Sequence, residues 1–182
     1  PFDASPEPEY IYSNCLLWER TGDCLPYLSK EQFCAKYNLD INEDIYVYLP
    51  SKPQHGMQGT AKKEYNKVCS LKNVVVKFHP TEYMRLASGR IDNKWSNELC
   101  GAKDVSVLDP VDTHWCYEYA SCAMTNQSSV SIELPLYETP FLYVEPPAFA
   151  LSSFFLKFGH TCELSNLEEF LAKRKYENKI EN

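Results

Sequence analysis

Two short patterns place metal-type ligands two residues apart: His114-x-Cys116 and His160-x-Cys162. On a strand, positions i and i+2 project from one face, so each pair could ligate a zinc ion if the strands were neighbours. The cysteine inventory argues against that use. There are eight: Cys15, Cys24, Cys34, Cys69, Cys100, Cys116, Cys122 and Cys162, widely spaced and with no C-x-x-C pair. An even, dispersed set favours about four disulfides in an oxidising compartment over a zinc module or a redox dithiol. The pairing is not deducible from spacing.

Other candidate chemistry is incomplete. Asp40-Ile41-Asn42-Glu43-Asp44 matches the start of a calcium loop, but Ile45 stands where the turn needs glycine and Ser51 where a bidentate glutamate belongs. Asp112-x-His114 offers an acid and a base without a G-x-S-x-G nucleophile elbow to complete them. His55-Gly56 and His79-Pro80 fall in expected loops with no evident partner. No nucleophile, base and orienting group can be assembled, so no enzyme is expected, and neither metal nor cofactor.

Binding is the remaining reading. The net charge of −7 conceals a segment, residues 52–94, with nine bases against three acids, flanked by acidic stretches. Lys62, Lys63, Lys67 and Lys72 lie within it and could meet an anionic partner. Thirteen tyrosines supply large, stiff contact surfaces, and Tyr46, Tyr48, Tyr117 and Tyr119 alternate with other residues along expected strands. Asn126-Gln127-Ser128 is an N-glycosylation sequon in a polar turn.

The elements that must position these residues follow from periodicity. Ser29 with Gln32 forms a capping box for a helix over Lys30–Tyr37. Residues 45–49 alternate as a strand, 61–68 suit a short helix, and 71–78 form a second strand. Thr81–Ala87 suits a helical turn and 104–108 a short strand. Thr113–Met124 alternates and would pair with Val130–Tyr137 as a hairpin. Phe141–Val144 and Phe154–Cys162 are further strands, and Ser165 with Glu168 caps a last helix. Residues 1–10 read as a loose arm and 176–182 as a frayed tail.

A hydrophobic content of 44% excludes a disordered chain, and no apolar run approaches the roughly 20 residues a membrane helix needs. The expected fold is therefore a single β-dominated α+β domain over residues 1–182. It is an antiparallel sheet or sandwich with an N-terminal and a C-terminal helix, held by disulfides. With no leader at Pro1, the chain reads as the mature form of a secreted glycoprotein. The expected function is a non-enzymatic extracellular binding module for a protein, receptor or anionic glycan, with nucleic acid disfavoured. A lipid-binding cup lined by Phe149–Phe158 and a small secreted hydrolase are the alternatives.

Overall fold

The structure, a computed structural model, describes residues 27–50, 58–79, 82–84, 105–125, 134–144 and 159–174. The chain enters through α1 (Lys30–Tyr37) and β1 (Tyr46–Leu49), then crosses by α2 (Gln58–Cys69) to β2 (Val74–Val76). It continues through β3 (Ser106–Val107), a 3-10 turn at Pro110–Asp112, α3 (Thr113–Tyr119) and β4 (Cys122–Thr125). A second 3-10 turn, Leu134–Tyr137, precedes β5 (Phe141–Val144), and β6 (Gly159–Cys162) leads to α4 (Leu167–Ala172).

Among the described residues all strand pairs are parallel, in the order β3-β2-β1-β4-β5-β6. Parallel strands need crossover connections, so both faces of such a sheet are covered by helices. Side-chain alternation divides the core accordingly. Tyr48, Val74, Val76, Cys122, Met124, Leu142 and Val144 pack with Tyr65 and Val68 of α2 and Leu167 and Leu171 of α4. Val47, Leu49, Val75, Ala123, Phe141 and Tyr143 pack with Phe33 and Tyr37 of α1 and Cys116 and Tyr117 of α3.

The antiparallel sheet or sandwich expected from sequence is thus overturned. Its central hairpin does not form, because Thr113–Tyr119 is helix α3 rather than a strand. Asp109 accepts a hydrogen bond from the Val111 amide at 3.2 Å, with Pro110 in the first position of the following turn. These are helix-entry features, and Cys116 and Tyr117 bury consecutive positions as a helix face does. At the far side of the expected hairpin, Leu134–Tyr137 is also a 3-10 turn.

Among the described residues the expected disulfides are not formed either. Cys34, Cys69, Cys116, Cys122 and Cys162 are free thiols, and Cys15, Cys24 and Cys100 lie outside the described residues. The large sheet core replaces the staples: Val47, Val75, Ala123, Met124, Leu142 and Val144 are fully buried. Asn126, the 1–10 arm, the 176–182 tail and most of the Phe149–Phe158 block fall outside the described residues. Among those described, no helix is long and apolar enough to cross a membrane.

Candidate functional site

The strand order carries the site. β1 continues to β2 on one side of the sheet, while β4 lies on its other side and continues to β5. Connections therefore diverge at the β1–β4 seam, and open α/β sheets bind ligands in the crevice beyond the carboxyl ends of the strands at such a point. Register runs from Tyr46 opposite Cys122 to Leu49 opposite Thr125. The seam is closed at both ends by hydroxyls. Ser121 Oγ accepts the Ile45 amide at 3.3 Å, and Thr125 Oγ1 donates to the Leu49 carbonyl at 3.0 Å. Thr125 is buried, so the carboxyl end of the seam is a satisfied floor.

The rim beside that floor is charged. The Lys77 amide donates to the Tyr48 carbonyl at 2.9 Å, which extends the β1–β2 ladder one residue beyond β2. Val74, Val76 and Phe78 face α2, so alternation turns Lys77 toward α3. There its ammonium opposes the burial that raises the Cys116 thiol. His79 follows, exposed, and its carbonyl accepts the amides of Glu82 at 2.8 Å and Tyr83 at 3.0 Å. Glu82 is buried. A lysine, a histidine and a buried carboxylate therefore lie within six residues of sequence just beyond the carboxyl end of β2. Cationic and hydrogen-bonding groups at that edge suit a phosphorylated ligand.

A second polar cluster ties α1 to the β3–α3 turn. The buried Asp112 carboxylate accepts the Tyr37 hydroxyl and pairs with Lys36 Nζ at 2.6 Å, while the Asp109 amide donates to Tyr37 Oη at 3.1 Å. Burial first, then the hydrogen bond to Asp112, holds the Tyr37 hydroxyl above its ordinary value. These groups are mutually satisfied, which reads as a structural clamp.

The residues singled out from sequence scatter. Tyr48 is buried and donates to Glu64 Oε1 at 3.1 Å. Tyr117 is buried against Tyr137, and Tyr119 donates to the Leu28 carbonyl at 2.6 Å. Tyr48 is buried because α2 covers its face of the sheet, and Tyr117 and the half-buried Tyr119 lie on α3 rather than on a strand. Lys62 and Lys63 are exposed on α2, and Lys67 pairs with Glu168 of α4. Tyr46 and Lys72 do share a cavity of about 230 Å³, with Glu43, Asp44 and Glu168. It opens at the amino ends of β1 and β2, opposite the crevice, and its acids disfavour an anionic ligand. His114 and Cys116 lie on α3 and His160 and Cys162 on β6, so the two pairs do not share adjacent strands. Among the described residues no three metal-ligating side chains converge.

Sequence reasoning passed over Lys77, Glu82 and Thr125 and left His79 in a loop without a partner. The usable signal was His79-Pro80 closing a run of three consecutive valines, which marks the end of a strand buried on both faces.

No family model matches the sequence, and no curated protein matches it. Solved structures do share the fold. The UDP-GlcNAc 2-epimerase of Neisseria meningitidis bound to UDP-GlcNAc superposes with a TM-score of 0.57 at 13% identity, over 84% of this chain and 43% of its own. The S. aureus MnaA–UDP complex gives 0.53 at 13%, over 85% and 42%. The wall teichoic acid polymerase TagF gives 0.50 at 14%, over 83% and 40%. The chain spans about two fifths of the length of each. At these identities the likeness establishes a fold, a parallel Rossmann-like sheet of the GT-B kind. The structures that share it are enzymes, which corrects the expectation of a non-enzymatic binding module on an antiparallel β-rich domain.

Proposed function

We propose that this chain is a nucleotide-sugar-binding domain of an enzyme acting on nucleotide-activated sugars. One observation carries the reading: the strand order β3-β2-β1-β4-β5-β6 places a switch point at the β1–β4 seam. Support comes from the rim. Lys77 offers positive charge and His79 a hydrogen-bond donor to a diphosphate, Glu82 nearby in sequence is buried, and Leu49 and Thr125 form the floor. Two of the structures that share the fold hold UDP-GlcNAc or UDP.

Calorimetry of the full chain with UDP-GlcNAc and UDP, beside CDP- and GDP-sugars, tests the proposal. Saturable binding of at least one nucleotide sugar is expected. His79→Ala should weaken it by about tenfold to a hundredfold, the loss of one charge-assisted hydrogen bond of roughly 1.5–3 kcal/mol. Absence of binding by every nucleotide at millimolar concentration overturns the reading.

A further inference from the structure

α2 presents Lys62, Lys63 and Asn66 outward and turns Tyr65 and Val68 into the core. Position 64 belongs to the inward face, where an apolar residue is expected. It is Glu64, only 1% exposed, and Tyr48 beside it is equally buried. The Tyr48 hydroxyl donates to Glu64 Oε1 at 3.1 Å, and the Tyr48 and Tyr65 rings lie 5.9 Å apart. A carboxylate in such a place is a poor source of stability, since its desolvation offsets what its partners return. A hydrogen bond is directional where apolar packing is not. The pair therefore fixes both the rotation of α2 and its position along β1. Burial first, then the Glu64 charge, holds the Tyr48 hydroxyl well above its ordinary value, so it stays a donor.

The location gives this a use. Tyr48 is the penultimate residue of β1, one of the two strands at the switch point. α2 is the next described element after β1. We propose that Glu64 and Tyr48 are positioning residues for the nucleotide-sugar crevice, setting α2 against β1 through a buried hydrogen bond. The inference rests on the nucleotide-sugar reading for its ligand, though not for its geometry.

The test pairs Tyr48→Phe with the double substitution Tyr48→Phe/Glu64→Met, which replaces the polar pair by apolar groups of similar volume. Thermal melting and UDP-GlcNAc affinity are measured on the full chain. The double variant should melt at or above the wild-type temperature yet bind UDP-GlcNAc about tenfold more weakly. Unchanged affinity overturns the proposal. If the double variant fails to fold, Tyr48→Phe carries the same comparison, because its ring packing is retained. If the wild type binds no nucleotide sugar, the functional reading falls and the positioning is read without ligand. Amide exchange over residues 58–64 should then speed up severalfold in the variants, and equal rates overturn it.

Discussion

Cys116 and Cys122 are fully buried among apolar side chains, and burial raises both thiols above their ordinary value. Cys69, only partly covered, is pushed up to about 12 by burial, against a hydrogen bond from Tyr65 that lowers it. Thiolates are the reactive form, so these groups are inert while folded. Alkylation of the native chain at pH 8 should therefore leave Cys116 and Cys122 unmodified. After unfolding without reductant, Cys34, Cys69, Cys116, Cys122 and Cys162 should all gain the label by mass spectrometry. A bridge between any two of them would appear as a missing label and would restore part of the disulfide framework. The same shifts set an alkaline limit. An unfolded Cys69 releases its proton near 9.0, whereas the folded one holds it to about 12. Across that window the unfolded state binds fewer protons, so stability is fully present below 9.0 and falls as pH rises. Tyr48, with an ordinary value of 10.0 and a raised folded one, adds in the same sense. Melting temperatures measured from pH 8 to 12 should decline continuously above pH 9, and a flat profile contradicts the burial of these groups.

At the scale of the element, Gly159 opens β6 where the sheet leaves no room for a side chain. A Cβ there would stand 2.4 and 2.6 Å from ring carbons of Phe141 and 3.0 Å from Tyr143. Phe141 is buried opposite Gly159 in register, its ring edge-on to Tyr143 at 5.4 Å. Gly159→Ala must displace a packed ring, and overpacking of this kind lowers stability by about 1–3 kcal/mol. Urea unfolding should record that loss, and adding Phe141→Leu should recover part of it. An unchanged midpoint would mean that β5 and β6 pair in another register. Elements of this sort were unevenly legible. α1 could be read whole, because the Ser29–Gln32 box is local chemistry and both of its hydrogen bonds form, at 3.0 and 3.3 Å. α4 was legible as a helix but not in its cap, since Asn166 rather than Ser165 precedes it and no side chain caps it. α3 was misread because Trp115, Tyr117 and Tyr119 alternate and aromatic residues favour strands, which hid the Asp109-Pro110 entry. Strand direction was missed for a related reason. Tyr46 and Tyr48 looked like a solvent face, whereas β1, β2, β4 and β5 bury nearly every position, the mark of parallel strands covered on both sides. The rim residues Lys77, His79 and Glu82 sit together in the sequence, but their place beside the β1–β4 seam follows from strand order, which no motif shows.

Across the whole molecule the two ends of the sheet differ in kind, and that difference decides where a ligand goes. The amino end has a cavity of about 230 Å³, but Glu43, Asp44 and Glu168 line it with negative charge, one neutralised by Arg174 at 3.0 Å and another by Lys67. The carboxyl end presents Lys77 and His79 beside the β1–β4 seam. A nucleotide diphosphate carries negative charge; the amino-end acids are balanced by Arg174, Lys67 and Lys72 and offer it no net attraction, whereas Lys77 at the carboxyl end attracts it. Topology and charge together choose the carboxyl end. Amide exchange separates them. With UDP-GlcNAc present, exchange should slow at residues 48–50, 77–83 and 124–125, and stay unchanged at 43–45 and 71–73. Binding there should also weaken as salt is raised, because an exposed cationic rim is screened over about 8–10 Å at ordinary ionic strength. Protection confined to 43–46 and 71–73 would move the site to the amino end and remove the switch-point argument. Protection at the carboxyl end that ignores salt would keep the crevice but take Lys77 and His79 out of it, leaving recognition to uncharged groups at the strand ends.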